Sequence, residues 1–140
     1  MADIVIKRAA DIDERIGDFI HEGFTRYGMQ NGVLLHYDEF CFVAETENGE
    51  IVGAVTGRAY YNEVHIGDLI VGEGCRRSGV GSRLVLAVEE AYRGKGYDVV
   101  TLTTFGFQAP AFYQKLGYAV EFIRAHQDPK LRKYFLKKEL

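Results

Sequence analysis

Leu69 to Ser82, L-I-V-G-E-G-C-R-R-S-G-V-G-S, runs from the apolar end of a strand through a glycine-rich, doubly basic turn into the start of a helix. Gly79 and Gly81 lack a Cβ, so the backbone can turn tightly there and let a ligand come close. The first turn of the helix that follows leaves N–H groups without intrahelical acceptors, and the helix dipole adds positive potential at the same point. Such a cradle suits a phosphate or a diphosphate. Two general glycine motifs do not fit. A nucleotide P-loop needs Lys and then Ser or Thr after its last glycine, yet Gly79 is followed by Val80. The dinucleotide fingerprint fails because Gly72, Gly74 and Gly79 have the wrong final spacing.

At 140 residues the chain reads as one domain, 1–140, long enough to bury a core of its own. A hydrophobic content of 47% with 13% aromatics is that of a folded globule, and no apolar run is long enough to span a bilayer, so no membrane partner is expected. The N-terminal stretch MADIVIKRAADIDERI carries acids early and has no uninterrupted apolar run, which argues against a secretory signal. Two cysteines, Cys41 and Cys75, imply a reducing, cytoplasmic setting without a disulfide framework. A net charge of −3 gives no nucleic-acid footprint. His21, His36 and His126 are scattered without metal-ligand spacing, so no metal site is expected. The basic run from Lys130 to Lys138 reads as the solvated side and ends of a final strand, guarding an edge against unwanted pairing.

Along the chain, Ile4, Val5 and Ile6 suggest a short first strand, and Asp11 with Glu14 has the form of a capping box. Ile12, Ile16, Phe19, Ile20 and Phe24 then recur at helical spacing, giving an apolar face suited to packing on a sheet. Tyr27 to Asp38, broken by Gly28, Asn31 and Gly32, reads as a short second helix and a loop. Strands follow at Phe40 to Glu45, Ile51 to Tyr60 and Val64 to Val71, the first two joined by an Asn48-Gly49 hairpin turn. Val80, Leu84, Ala87, Val88 and Ala91 make one stripe of the helix after the glycine turn, which Gly94-Lys95-Gly96 ends. Val99 to Thr103 reads as a buried strand, Ala109 to Leu116 as a short helix with Pro110 in its first turn, and Tyr118 to Arg124 and Leu131 to Leu136 as two last strands. The order β-α-α-β-β-β-α-β-α-β-β predicts an α/β fold: a mixed, mostly antiparallel sheet of six to seven strands flanked by about four helices.

Arg76-x-x-Gly79-x-Gly81 resembles the pyrophosphate-binding signature of the GCN5-related N-acetyltransferases, and Ala109-Pro110-Ala111-Phe112-Tyr113-Gln114-Lys115-Leu116-Gly117-Tyr118 resembles that family's second signature, A-x-x-F-Y-x-K-x-G-F/Y. The two stand a helix and a strand apart, as they do in the family, and the resemblance covers most of the chain. It implies the acyl-CoA N-acyltransferase fold, with acetyl-CoA as cosubstrate. Arg76, Arg77, Ser78, Gly79, Val80, Gly81 and Ser82 would then surround the pyrophosphate, mainly with backbone N–H groups. The strands before and after the glycine turn and helix would splay, and the pantetheine arm would pair with Leu69, Ile70 and Val71 like an added strand. Two departures stand out: Glu73 where a proline is usual, and Gly106 where an asparagine often precedes the second signature. The second puts one hydrogen bond to the cofactor arm in question, for which Gln108 is a weak substitute.

Acetyl transfer to an amine needs a neutral nucleophile, a polarised thioester carbonyl and a proton for the departing thiolate. By the resemblance Tyr113 sits near the cofactor sulfur as general acid or orienting donor, and a backbone N–H at or near Val71 polarises the carbonyl. Candidate bases on the strand before the turn are Glu63, His65 and Asp68. Alternation puts His65 on the face of Leu69 and Val71 and Asp68 on the other, unless a bulge near Gly67 shifts the phase. His65 is the first choice, because a neutral imidazole is available at neutral pH. Water relaying the proton to bulk is the alternative. Phe24, Tyr27, Tyr37, Tyr60, Tyr61, Glu22, Asp38, Glu39 and Glu63 form an aromatic and acidic set suited to a cationic amine, whether a small molecule or a peptide. A CoA-binding module without turnover is the competing function. Phe122, Tyr134 and Phe135 on the last strands suggest a homodimer.

Overall fold

The computed structural model describes residues 3–140, which fall into two compact units, the first ending at Leu35 and the second His36–Leu140. The first unit holds α1 (Glu14–Gln30). Its cap is Asp13, two residues later than the sequence suggests, with Oδ1 accepting from the N–H of Ile16 at 2.9 Å. The expected second helix is absent because α1 continues through Tyr27 and closes at Asn31 and Gly32: Val33 N–H donates to Gly28 O at 2.8 Å. Gly32 takes a positive φ of 74° there. Ile4, Val5 and Ile6 form no strand and are exposed; β-branched residues alone do not make a strand without a ladder partner.

The second unit is a six-stranded sheet: β1 (Asp38–Glu45), β2 (Ile51–Tyr60), β3 (Glu63–Val71), β4 (Val99–Phe105), β5 (Ala119–Arg124) and β6 (Lys133–Glu139), in spatial order β1-β2-β3-β4-β6-β5. Only the β3–β4 pair is parallel. The helices α2 (Val80–Tyr92) and α3 (Pro110–Lys115) connect β3 to β4 and β4 to β5. With α1 this makes three α-helices rather than four among the described residues, within the expected α/β architecture. The last strand does not guard an edge. It inserts between β4 and β5, because β5 returns from α3 to the outer position and β6 then fills the gap beside β4.

Leu84, Val85, Val88 and Tyr92 of α2 form one core with Val55, Val64, Ile66, Val100, Leu102 and Leu136 of the sheet. Each such aliphatic side chain contributes about 1.5–3 kcal/mol on burial. A carboxylate also lies inside: Glu89 of α2 is 2% exposed. It accepts from Tyr118 Oη and from Lys138 Nζ, each at 2.9 Å, and Lys138 also donates to Leu116 O at 2.9 Å. The end of α3 and the last strand are thereby tied to α2.

Candidate active site

The turn between β3 and α2 is built as the glycine spacing requires. Glu73–Cys75 makes a single 3₁₀ turn, Ser78 Oγ donates to Cys75 O, and Arg77 and Gly79 take positive φ values of 67° and 85°. Gly79 caps α2 with no side-chain acceptor, and among the described residues nothing accepts from the N–H groups of Val80, Gly81 and Ser82. The first closure is Arg83 N–H to Gly79 O at 3.0 Å. These free donors at the positive end of a 13-residue helix, beside two arginines, fit a diphosphate. Arg76 folds back, its Nε 3.5 Å from Val71 O.

The two sequence motifs meet at Gly81. A Cβ there would lie 3.2 Å from Phe112 Cζ and 3.6 Å from Val71 Cγ2. Glycine at this point lets α3, α2 and the end of β3 close on one another. Phe112 packs edge-on against Tyr113 with ring centroids 5.0 Å apart, and Tyr113 against Tyr118 at 5.9 Å. Tyr113 is 7% exposed, and burial pushes its phenol up to about 12. Among the described residues nothing bonds its hydroxyl, although the neighbouring phenol of Tyr118 is tied to Glu89. The ring is held in place while its protonated O–H is used by no acceptor among the described residues.

β3 and β4 pair over only three residues, Glu63–His65 against Val99–Thr101. Beyond His65 the strands part, so the β4-facing backbone groups of Leu69, Ile70 and Val71 have no ladder partner. The loop after β4 explains the missing asparagine: a Cβ on Gly106 would lie 2.1 Å from Pro129 O, so only glycine fits. Gln108 does not replace it with its carbonyl, since Oε1 accepts from Phe105 N–H at 2.8 Å.

The expected face of His65 is corrected. Thr56 opposes Asp68 but the next residue, Gly57, opposes Ile66, so Gly67 is an extra residue in β3. That bulge reverses the alternation: Val64 and Ile66 share the core face with Leu69 and Val71, and Glu63, His65 and Asp68 share the opposite face. Gly57 makes the close approach possible, because a Cβ there would lie 2.1 Å from His65 O. His65 Nδ1 lies 2.9 Å from Thr101 Oγ1. Burial lowers the His65 pKa; Glu63 raises it, and the charges of Arg58 and Lys133 lower it further. Glu63 accepts from Tyr60 Oη at 2.9 Å and Asp68 from Thr56 Oγ1 at 3.3 Å, so both carboxylates already have a donor.

Of the aromatic and acidic set, Tyr37 with Glu39 and Tyr60 with Glu63 come together around Arg58, whose guanidinium lies 5.6 Å over the Tyr60 ring. Asp38 instead accepts from Tyr92 of α2 at 2.8 Å. Glu22, Phe24 and Tyr27 belong to the first unit. Sequence reasoning misses Arg58, Thr101 and Lys133. Register alone brings these to the face of His65, and register is invisible until the strands are paired.

A parted pair of strands beside an anion-binding helix start, with a tyrosine held next to it, defines the acyl-CoA acyltransferase class. The chain belongs to the acetyltransferase (GNAT) family, whose sequence profile matches residues 9–118. It is 35% identical over 95 residues to the blasticidin-S acetyltransferase of Streptomyces morookaense, covering 67% of this chain and 70% of that one. An acetyltransferase from Bacillus cereus ATCC 14579 superposes with a TM-score of 0.77 at 31% identity, over 96% of this chain and 98% of the other. A GNAT family acetyltransferase from Elizabethkingia anophelis, solved with acetyl-CoA bound, shares the fold at a TM-score of 0.62 and 20% identity, over 73% and 76% of the two chains. No helix of the described residues is long and apolar enough to cross a membrane.

Proposed function

We propose that this acetyltransferase moves the acetyl group of acetyl-CoA to a primary amine of a small-molecule or peptide acceptor, by direct attack in a ternary complex. The observation that carries this reading is the junction at Gly81, where the anion cradle, the parted strand β3 and the Tyr113 helix meet within van der Waals distance. Arg76, Arg77, Ser78, Gly79, Val80, Gly81 and Ser82 hold the diphosphate of acetyl-CoA, and Leu69, Ile70 and Val71 hold its arm by backbone pairing. When bound, acetyl-CoA supplies an activated thioester carbonyl.

Tyr113 acts on the sulfur as a hydrogen-bond donor. With a phenol pKa of about 12 against about 8.5 for an ordinary thiol, full proton transfer to the thiolate is uphill, whereas donation of a hydrogen bond is not. His65, kept neutral by burial and facing away from the core, takes the amine proton directly or through one water.

The test is amine-dependent release of free CoA from acetyl-CoA, measured with blasticidin S, a diamine, an aminoglycoside and a short peptide as acceptors. The expected outcome is release with at least one amine, and a fall in kcat of roughly 10²-fold in Tyr113→Phe with CoA affinity retained. CoA binding without release for any amine would instead describe a binding module.

A further inference from the structure

Lys133, Phe135 and Phe105 lie on the same face of the sheet as His65, because Thr101, Thr103 and Phe105 of β4 oppose Lys137, Phe135 and Lys133 of β6. Lys133 Nζ lies 5.5 Å from the centroid of the Phe135 ring and 5.8 Å from that of Phe105. The guanidinium of Arg124 lies 5.5 Å from the same Phe135 ring. Two cations thus share one aromatic ring, and among the described residues no carboxylate pairs with either. The other β6 lysines do have partners: Lys137 meets Glu139 at 3.1 Å and Lys138 meets Glu89 at 2.9 Å. Ring faces offset part of the repulsion between neighbouring cations, but an anion would remove it. The positive charge of Lys133 lowers the His65 pKa, in keeping with their place on one face of the sheet.

We infer that the acceptor carries a carboxylate several bonds away from its reacting amine, received by Lys133 and Arg124 above Phe135 while the amine lies at His65. The inference rests on the acetyltransferase reading and adds the class of acceptor. Its geometry follows from the register. Lys133 leaves the sheet four residues further along β4 than the His65–Thr101 pair, roughly 13 Å at about 3.3 Å per residue, and its ammonium folds back over Phe135, two residues nearer. The register therefore offsets the two groups by about 7–13 Å along the strands, and β4 between β3 and β6 sets their backbones roughly 10 Å apart across the sheet, a span that the long side chain of Lys133 shortens. A free α-amino acid is too short to reach both groups. Polyamines and aminoglycosides, cationic along their length, meet two positive charges where an anion belongs. The class that fits is a zwitterion of roughly dipeptide length or longer.

The probes are 8-aminooctanoate, its carboxamide and 1,8-diaminooctane, with kcat/KM read from CoA release. The expected result is a preference of about tenfold for the carboxylate over the amide, the worth of one partly desolvated ion pair, with the diamine poorest. Lys133→Met erases the preference and Lys133→Arg keeps it. Calorimetric titration of the CoA-loaded protein with the carboxylate and the amide reads the subsite without turnover. Tighter carboxylate binding that vanishes in Lys133→Met upholds the subsite even where no CoA is released, in which case the catalytic reading alone fails. Turnover with carboxylate and amide equal, a preference for the diamine, or binding that is equal or undetectable for both probes overturns it.

Discussion

His65 sits where burial and protonation oppose each other. A base is useful only in its neutral form, and desolvation holds the pKa of this imidazole below the ordinary value of about 6.5 despite the opposing charge of Glu63. Protonation silences the base, so turnover at saturating amine falls as pH drops through a midpoint below the ordinary value of about 6.5. Deprotonation of the amine adds a further rise in rate towards alkaline pH, with a midpoint that follows the acceptor rather than the enzyme. In His65→Gln the acidic limb disappears and the plateau drops by roughly 10²-fold. Retention of the limb in a pH–rate profile of the variant would assign the proton to water or another group. The candidate residues for the cofactor are legible in the amino-acid sequence alone, because glycine, arginine and tyrosine at fixed spacing carry their own chemistry. The partners of His65 are not. Thr101 and Arg58 are distant in sequence and ordinary in type, and only strand pairing brings them to it.

Elements are legible where periodicity or turn chemistry is strong. β2 runs from Ile51 to Tyr60, as expected, and α2 begins at Val80 after the αL glycine. Sequence reading fails where one inserted residue or a non-sequential neighbour decides. The Gly67 bulge reverses a face, and its signal is present as glycine within a strand pattern at Gly57 and Gly67. The interior place of β6 leaves no such local mark, since its lysines look like those of an edge; Lys138 in fact reaches Glu89 on the core side. Lys138→Met leaves a buried carboxylate with the Tyr118 hydroxyl and a distant Arg93 at 3.8 Å. Because the lysine is partly solvated, the loss is about 2–3 kcal/mol, below that of a fully buried pair. A fall in Tm of roughly 6–12 °C is expected by thermal unfolding. The double change Glu89→Leu with Lys138→Met recovers much of it, since it removes the stranded charge along with its partner. A single variant as stable as the parent would show that the pair does not hold α2 to β6.

Across the whole molecule, the cradle and the folding equilibrium are linked. A ligand that binds only the native state adds RT ln(1 + [L]/Kd), about 2.7 kcal/mol at a hundredfold excess over Kd. For a chain of this length that corresponds to a rise in Tm of roughly 8 °C. CoA, acetyl-CoA and desulfo-CoA should all produce it, because the anion cradle and the strand-pairing arm hold parts that the three share. Gly81→Glu should abolish the shift for every one of them: its Cβ meets Phe112 at 3.2 Å and its carboxylate enters a space built for diphosphate. The measurement is differential scanning calorimetry of both proteins with and without ligand. The variant's own Tm separates lost binding from lost packing, because pushing Phe112 aside lowers the ligand-free Tm whereas charging the cradle removes only the response to ligand. A parent protein whose Tm is unmoved by all three ligands would mean that the free N–H groups at Val80, Gly81 and Ser82 do not face a CoA diphosphate, and the assignments of Tyr113 and His65 would lose the scaffold that orients them.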